Sequence, residues 1–199
     1  MWYLNEPANR SLNQWVLEPD LPPKDANPKK STVKKIVFSH YGDKFVSLNQ
    51  EGTLFLHSFD LKDDKSALFY GKNLKITDFG LIDPDATVVV ALSSSNKSLS
   101  IIDCMTGDIL VQSKTVGNLL QVDQERQCLY TFNSKSGVIQ KHDLNLTLVL
   151  TKQLYKEEIT SSVWCGHRME SLMIGFGDGT IRVYSVTEND KEWEPTQTI

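Results

Sequence analysis

Four histidines, His40, His57, His142 and His167, are the first residues to weigh for metal or acid–base chemistry, and their spacing supports neither. There is no His-x-x-x-His pair, and a metal centre needs three or four donors converging on one point. His57 and His142 each stand near the end of an alternating run, where an imidazole serves as a bonded structural side chain. Paired carboxylates occur at Asp63-Asp64, Asp83-Asp85 and Glu157-Glu158, all beside Lys or Pro in turn-like sequence. General acid–base work needs two carboxyl groups facing each other in a buried site, whereas turn-borne ones are solvated. Ser93-Ser94-Ser95 lacks a Gly-x-Ser-x-Gly elbow. Gly175-Phe176-Gly177-Asp178-Gly179 has the glycine density of a phosphate loop, yet it leads into a β-type run instead of a helix N-terminus, so the anion site is missing. The chain therefore reads as non-catalytic, with no cofactor, no metal site and no small-molecule substrate.

The elements that carry these residues repeat. Asp178-Gly179-Thr180-Ile181-Arg182-Val183-Tyr184-Ser185 joins a tight polar turn to an alternating strand, with Thr180, Arg182 and Tyr184 on one face and Ile181 and Val183 on the other. Weaker copies begin at Glu51-Gly52-Thr53, Asn96-Lys97-Ser98 and Ser136-Gly137-Val138. The repeat corners are Glu51, Gly52, Asn96, Gly137, Asp178 and Gly179, with Asp103 and Asp143 closing third strands.

From Val33 onward short alternating or apolar runs are separated by turn residues, with no sustained helical period. The pattern predicts strands at 33–39, 45–48, 53–59 and 67–70, then 76–82, 87–92, 98–103 and 109–113. It continues with 119–123, 128–132, 138–143 and 148–154, then 159–165, 171–176, 180–186 and an outer strand within 194–199. Units starting at residues 33, 76, 118 and 159 are 43, 42 and 41 residues apart. A period of about 40 to 45 residues with four strands per unit is the signature of a propeller blade. One four-stranded sheet cannot cover both its faces, so the units must stack around an axis. The expected fold is all-β, a propeller of about four four-stranded blades at 32–71, 72–114, 115–155 and 156–199.

Residues 1–31 differ, holding five of the seven prolines, which bars a helix or central strand. This extended N-terminal arm carries Trp2, Tyr3, Trp15, Val16 and Leu17. Either those side chains pin the arm to its own domain, or Trp15-Val16-Leu17 docks into a partner. Trp193, among Glu188, Asp190, Glu192 and Glu194, is expected as a second exposed anchor. Lys24, Lys29, Lys30, Lys34 and Lys35 gather where the arm meets the first unit, either as solvated charge or to meet acids on the last unit or a partner.

Composition narrows the setting. A formal charge of -4, from 21 basic and 25 acidic residues, disfavours a nucleic-acid partner. Cys104, Cys128 and Cys165 are far apart without a CxxC, which suggests reduced thiols and a cytoplasmic or nuclear location. No run approaches the roughly 18 apolar residues of a membrane span, and the Met-Trp-Tyr-Leu-Asn-Glu start lacks a secretion signal.

The chain resembles the WD40-repeat β-propeller family over residues 32–187. The resemblance rests on the 178–184 corner, on the Val33..Ile36-Val37-Phe38-Ser39..Tyr41-Gly42-Asp43 opening, and on Asp103-Cys104-Met105-Thr106-Gly107. Where the family ends a third strand in Trp-Asp, this chain has His57-Ser58, Ile102-Asp103, His142-Asp143 and Tyr184-Ser185. The Gly-His before a first strand is absent, and Gly166-His167 follows one. The family's hydrogen-bonded set is thereby reduced, and the blades are expected to rely on apolar packing and ladder bonds. Four blades sit at the floor of the usual range, about 4 to 8. The ring is expected to be incomplete, completed by the arm or by a partner's blades, or part of a longer chain. Gly42-Asp43-Lys44, Glu51-Gly52-Thr53-Leu54-Phe55-Leu56 and Thr77-Asp78-Phe79 are similar to the final repeats of the rabconnectin (DmX-like) proteins, which implies regulation of vacuolar proton-pump assembly. The family resemblance implies a protein–protein interaction scaffold, a subunit of a larger eukaryotic assembly. A peptide or phosphopeptide reader would need clustered arginines, but Arg10, Arg126, Arg168 and Arg182 are scattered. A propeller enzyme would need polar residues on the innermost strands, which show Val33, Ile36, Phe38, Ile76, Phe79, Leu119, Val122, Ile159 and Val163 instead.

Overall fold

Every strand of the computed structural model, which describes residues 32–58, 68–70, 74–165, 170–186 and 193–199, belongs to one of four antiparallel four-stranded sheets. The first joins β1 (Val33–Phe38), β2 (Lys44–Asn49), β3 (Leu54–Ser58) and β4 (Leu68–Tyr70). The second joins β5 (Asp78–Leu81), β6 (Val88–Ser93), β7 (Ser98–Asp103) and β8 (Ile109–Lys114). The third holds β9 (Leu119–Asp123), β10 (Cys128–Asn133), β11 (Val138–Asp143) and β12 (Leu148–Gln153). The fourth holds β13 (Ile159–Cys165), β14 (Ser171–Phe176), β15 (Ile181–Ser185) and β16 (Pro195–Thr198). Strands pair in chain order within each sheet, and β5 lies beside both β1 and β9. The arrangement is a four-bladed β-propeller, with no helix among the described residues.

Local chemistry explains the meanders. The corner between second and third strands needs left-handed backbone, supplied by Gly52, Gly137 and Gly179 at φ of 84°, 66° and 86°. Lys97 takes that corner in the second blade at φ 50°. The predicted aspartates close turns: the Asp103 carboxylate accepts from the Met105 and Thr106 amides, and that of Asp143 from the Asn145 and Thr147 amides. Asp178 accepts from both the amide and the hydroxyl of Thr180.

Central strands are apolar on both faces because each inner blade is covered twice. Val89 and Ala91 of β6 join a core with Val46, Leu48 and Leu54 of the first blade, while Val90 and Leu92 join one with Leu120 and Leu129 of the third. A third core sets Tyr130, Phe132 and Ile139 against Ile159, Leu172, Ile174 and Phe176 of the fourth. Each fully buried side chain of this size contributes about 1.5–3 kcal/mol. Each new blade also bonds back to the one before, through Ile76 N–H to Gly52 O at 3.2 Å, Thr115 N–H to Lys97 O at 3.0 Å and Ile159 N–H to Ser134 O at 2.8 Å.

β7, β9, β11, β13 and β14 match the predicted strands residue for residue. β5 starts two residues later than predicted, because Ile76 sends its amide to the first blade instead of its own ladder. The arm at 1–31, Asp63-Asp64, Gly166-His167 and the acids Glu188, Asp190 and Glu192 lie outside the described residues.

Candidate interaction surface

The innermost strands carry polar side chains that the apolar reading of the sequence passed over. Lys35 Nζ on β1 donates to Asp78 Oδ1 on β5 at 2.6 Å and to the Phe79 carbonyl at 2.7 Å. Asp78 Oδ2 accepts from the Leu120 amide on β9 at 2.8 Å. Gln121 Nε2 donates to the Ser162 carbonyl and hydroxyl on β13 at 2.9 and 3.0 Å. A polar clasp therefore crosses each of the three seams. Lys35 and Asp78, 43 residues apart, hold the same slot opposite Leu48 and Leu92, and that spacing is the signal that could have revealed them, whereas Gln121, opposite Tyr130, takes the slot of Gly80. Their groups are spent on one another. Among the described residues no cluster of three or more His, Cys, Asp or Glu could hold a metal ion.

Side-chain bonds also tie strands within blades, correcting the expectation that packing and ladder bonds act alone. His57, in the slot where the WD40 pattern has an indole, meets Ser47 Oγ through Nε2 at 2.9 Å and stacks on Phe45 at 4.3 Å. In the third blade the Thr115 hydroxyl meets that of Thr131 at 2.9 Å and donates to Gln140 Oε1 at 3.1 Å. His142 is buried with no hydrogen bond to either ring nitrogen. Burial pushes its pKa down, and the nearby Leu146 backbone and Asp143 carboxylate offset only part of that.

The anchor expected at Trp193 is not exposed. Its side chain is 5 % exposed, in the core between the third and fourth blades, with ring contacts to Tyr130 at 5.5 Å and Tyr184 at 6.2 Å. An indole buries more apolar area than any other side chain, which outweighs the pull of its acidic neighbour Glu194. Nearby, the Arg182 guanidinium lies 3.5 Å from the Tyr155 ring centroid. The other expected anchors, Trp2, Trp15, Val16 and Leu17, lie outside the described residues.

Lys34 is exposed and Lys35 partly so, as expected of solvated charge, yet both reach the first seam: Lys34 Nζ donates to the Thr77 carbonyl at 2.5 Å and Lys35 Nζ to Asp78. Exposed apolar side chains lie on β1 at Val33, Ile36 and Phe38, on the outer strands at Ile109, Leu110, Leu148 and Val149, and on the fourth blade at Val163 and Ile181. On β14 burial alternates residue by residue, whereas on β6 and β10 five of six residues are buried. Only one face of β14 is covered.

Compared with protein-family models the chain matches none, and no curated protein matches it either. The propeller is thus described by its own strands and seams.

Proposed function

We propose that this chain is a non-catalytic, WD40-like propeller scaffold that binds other proteins within a larger eukaryotic assembly. One observation carries the reading. Lys35, Asp78 and Gln121 on the innermost strands bond across the seams, while large apolar side chains stand exposed on β1, on the outer strands and on the last blade. Exposed apolar surface gathered in patches marks protein contact sites. A reduced compartment, the cytoplasm or nucleus, suits its three free thiols. The test is quantitative affinity purification of the tagged full chain from its source cells. A stoichiometric protein partner is expected; a chain that purifies alone at every salt concentration would refute the scaffold.

A further inference from the structure

The first three blades each bury the two central-strand residues that face the next blade. These are Val46 and Leu48, Val90 and Leu92, and Tyr130 and Phe132, none above 1 % exposed. The same slots of the fourth blade hold Met173 and Gly175, both only partly buried. Met173 lies in register between Val163, which is 55 % exposed, and Val183. Gly175 lies between Ser161 and Ile181, so a shallow row runs beside an apolar one. The described residues of this blade carry Glu157, Glu158, Glu170, Asp178 and Glu194 against only Lys156 and Arg182, and Arg182 is stacked on Tyr155.

We propose that this flank is a docking surface for a β-blade of another protein, one with large apolar side chains at its centre and lysine or arginine at its rim. The proposal rests on the scaffold reading and names its surface. Three junctions within the chain show what fills such slots: the next sheet's Val89 and Ala91, Leu129 and Thr131, or Leu172 and Ile174. Gly175 and Ser161 leave depth for something larger. A second copy fits poorly. Its first blade exposes the apolar Val33, Ile36 and Phe38 but engages Lys34, Lys35 and Lys44 with its own second blade, and two fourth-blade flanks would set acid against acid.

The test is zero-length carboxyl–amine cross-linking of the tagged full chain in its source-cell extract, mapped by mass spectrometry. The proposal expects links from Glu157, Glu158, Glu170 or Glu194 to lysines on a β-sheet of another protein. Met173→Glu is expected to reduce that partner's recovery at least about tenfold, with the thermal midpoint little changed. Val163→Glu, on an exposed side chain, serves where Met173→Glu does not fold. Links from these acids to Lys24, Lys29 or Lys30 would make the chain's own arm the occupant, and links between isotopically distinct copies would make it a second copy; either overturns the proposal. A partner linked only at other residues overturns it too and leaves the scaffold reading standing, whereas no partner at all removes both.

Discussion

Lys35 and Asp78 meet at 2.6 Å across the seam between the first and second blades, and the second oxygen of the same carboxylate holds the Leu120 amide of the third. One side chain on β5 thus braces both neighbours. Replacing Lys35 by Ala removes a partly exposed pair and costs about 0.5–1 kcal/mol. Asp78→Ala leaves the Leu120 amide without its acceptor and the Lys35 ammonium with the Phe79 carbonyl alone, and costs about 2–3 kcal/mol. Urea unfolding of the two variants checks the order; equal losses would contradict a shared brace.

Gly137 and Gly179 share the left-handed corner but not its surroundings. A Cβ at Gly137 would strike the Tyr155 carbonyl oxygen, while at Gly179 nothing lies within 4 Å. Gly179→Ala should cost only the backbone strain, about 1–2 kcal/mol. Gly137→Ala should cost distinctly more, since the β12 end must also move. Thermal midpoints of the pair measure the difference.

His142 predicts an acid-sensitive fold. Its pKa is lowered in the folded chain, mainly by burial, so the unfolded chain takes up the proton first as pH falls. Stability is complete above the unfolded value, about 6.5, and declines below it until the folded value is passed. The carboxylates with lowered values, Asp43, Asp83 and Asp178, lose their contribution only below about pH 4. Denaturant midpoints between pH 7 and 5 should therefore fall in the parent and flatten in His142→Leu. An unchanged slope would remove His142 as the cause.

The three thiols should separate by reactivity. Cys104 is buried, and burial with the nearby Asp83 and Asp103 carboxylates pushes its pKa up to about 12. Cys128 is also buried, while Cys165 is partly exposed on β13. A disulfide reagent at pH 8 should modify Cys165 in the folded chain and the other two only on unfolding. Peptide mapping after a short pulse decides it.

Trp193→Ala should cost about 3–5 kcal/mol, as expected for a large buried aromatic. The loss falls on β16, which otherwise exposes all four of its residues. Near-ultraviolet circular dichroism should lose the signal of the Tyr130–Trp193–Tyr184 contact.

The blades were legible because their information is local: turn residues recur at a fixed period, and alternation sets which side chains are covered. The five strands that match residue for residue are bounded by such turns. Trp193 was misplaced because neighbouring acids argue for solvent, whereas burial is decided by Tyr130 and Tyr184, remote in sequence. Lys35 and Gln121 were passed over for a similar reason. A polar residue on an apolar strand shows its purpose only once its partner from another repeat stands beside it.

Sharing Asp78 between two neighbours bears on how such a chain can lengthen or shorten in evolution. Excising the second unit would take away the acceptor on which the first and third both depend, so a middle repeat is hard to lose. A terminal repeat has obligations on one side alone, and growth or trimming should therefore be recorded at the ends of the series.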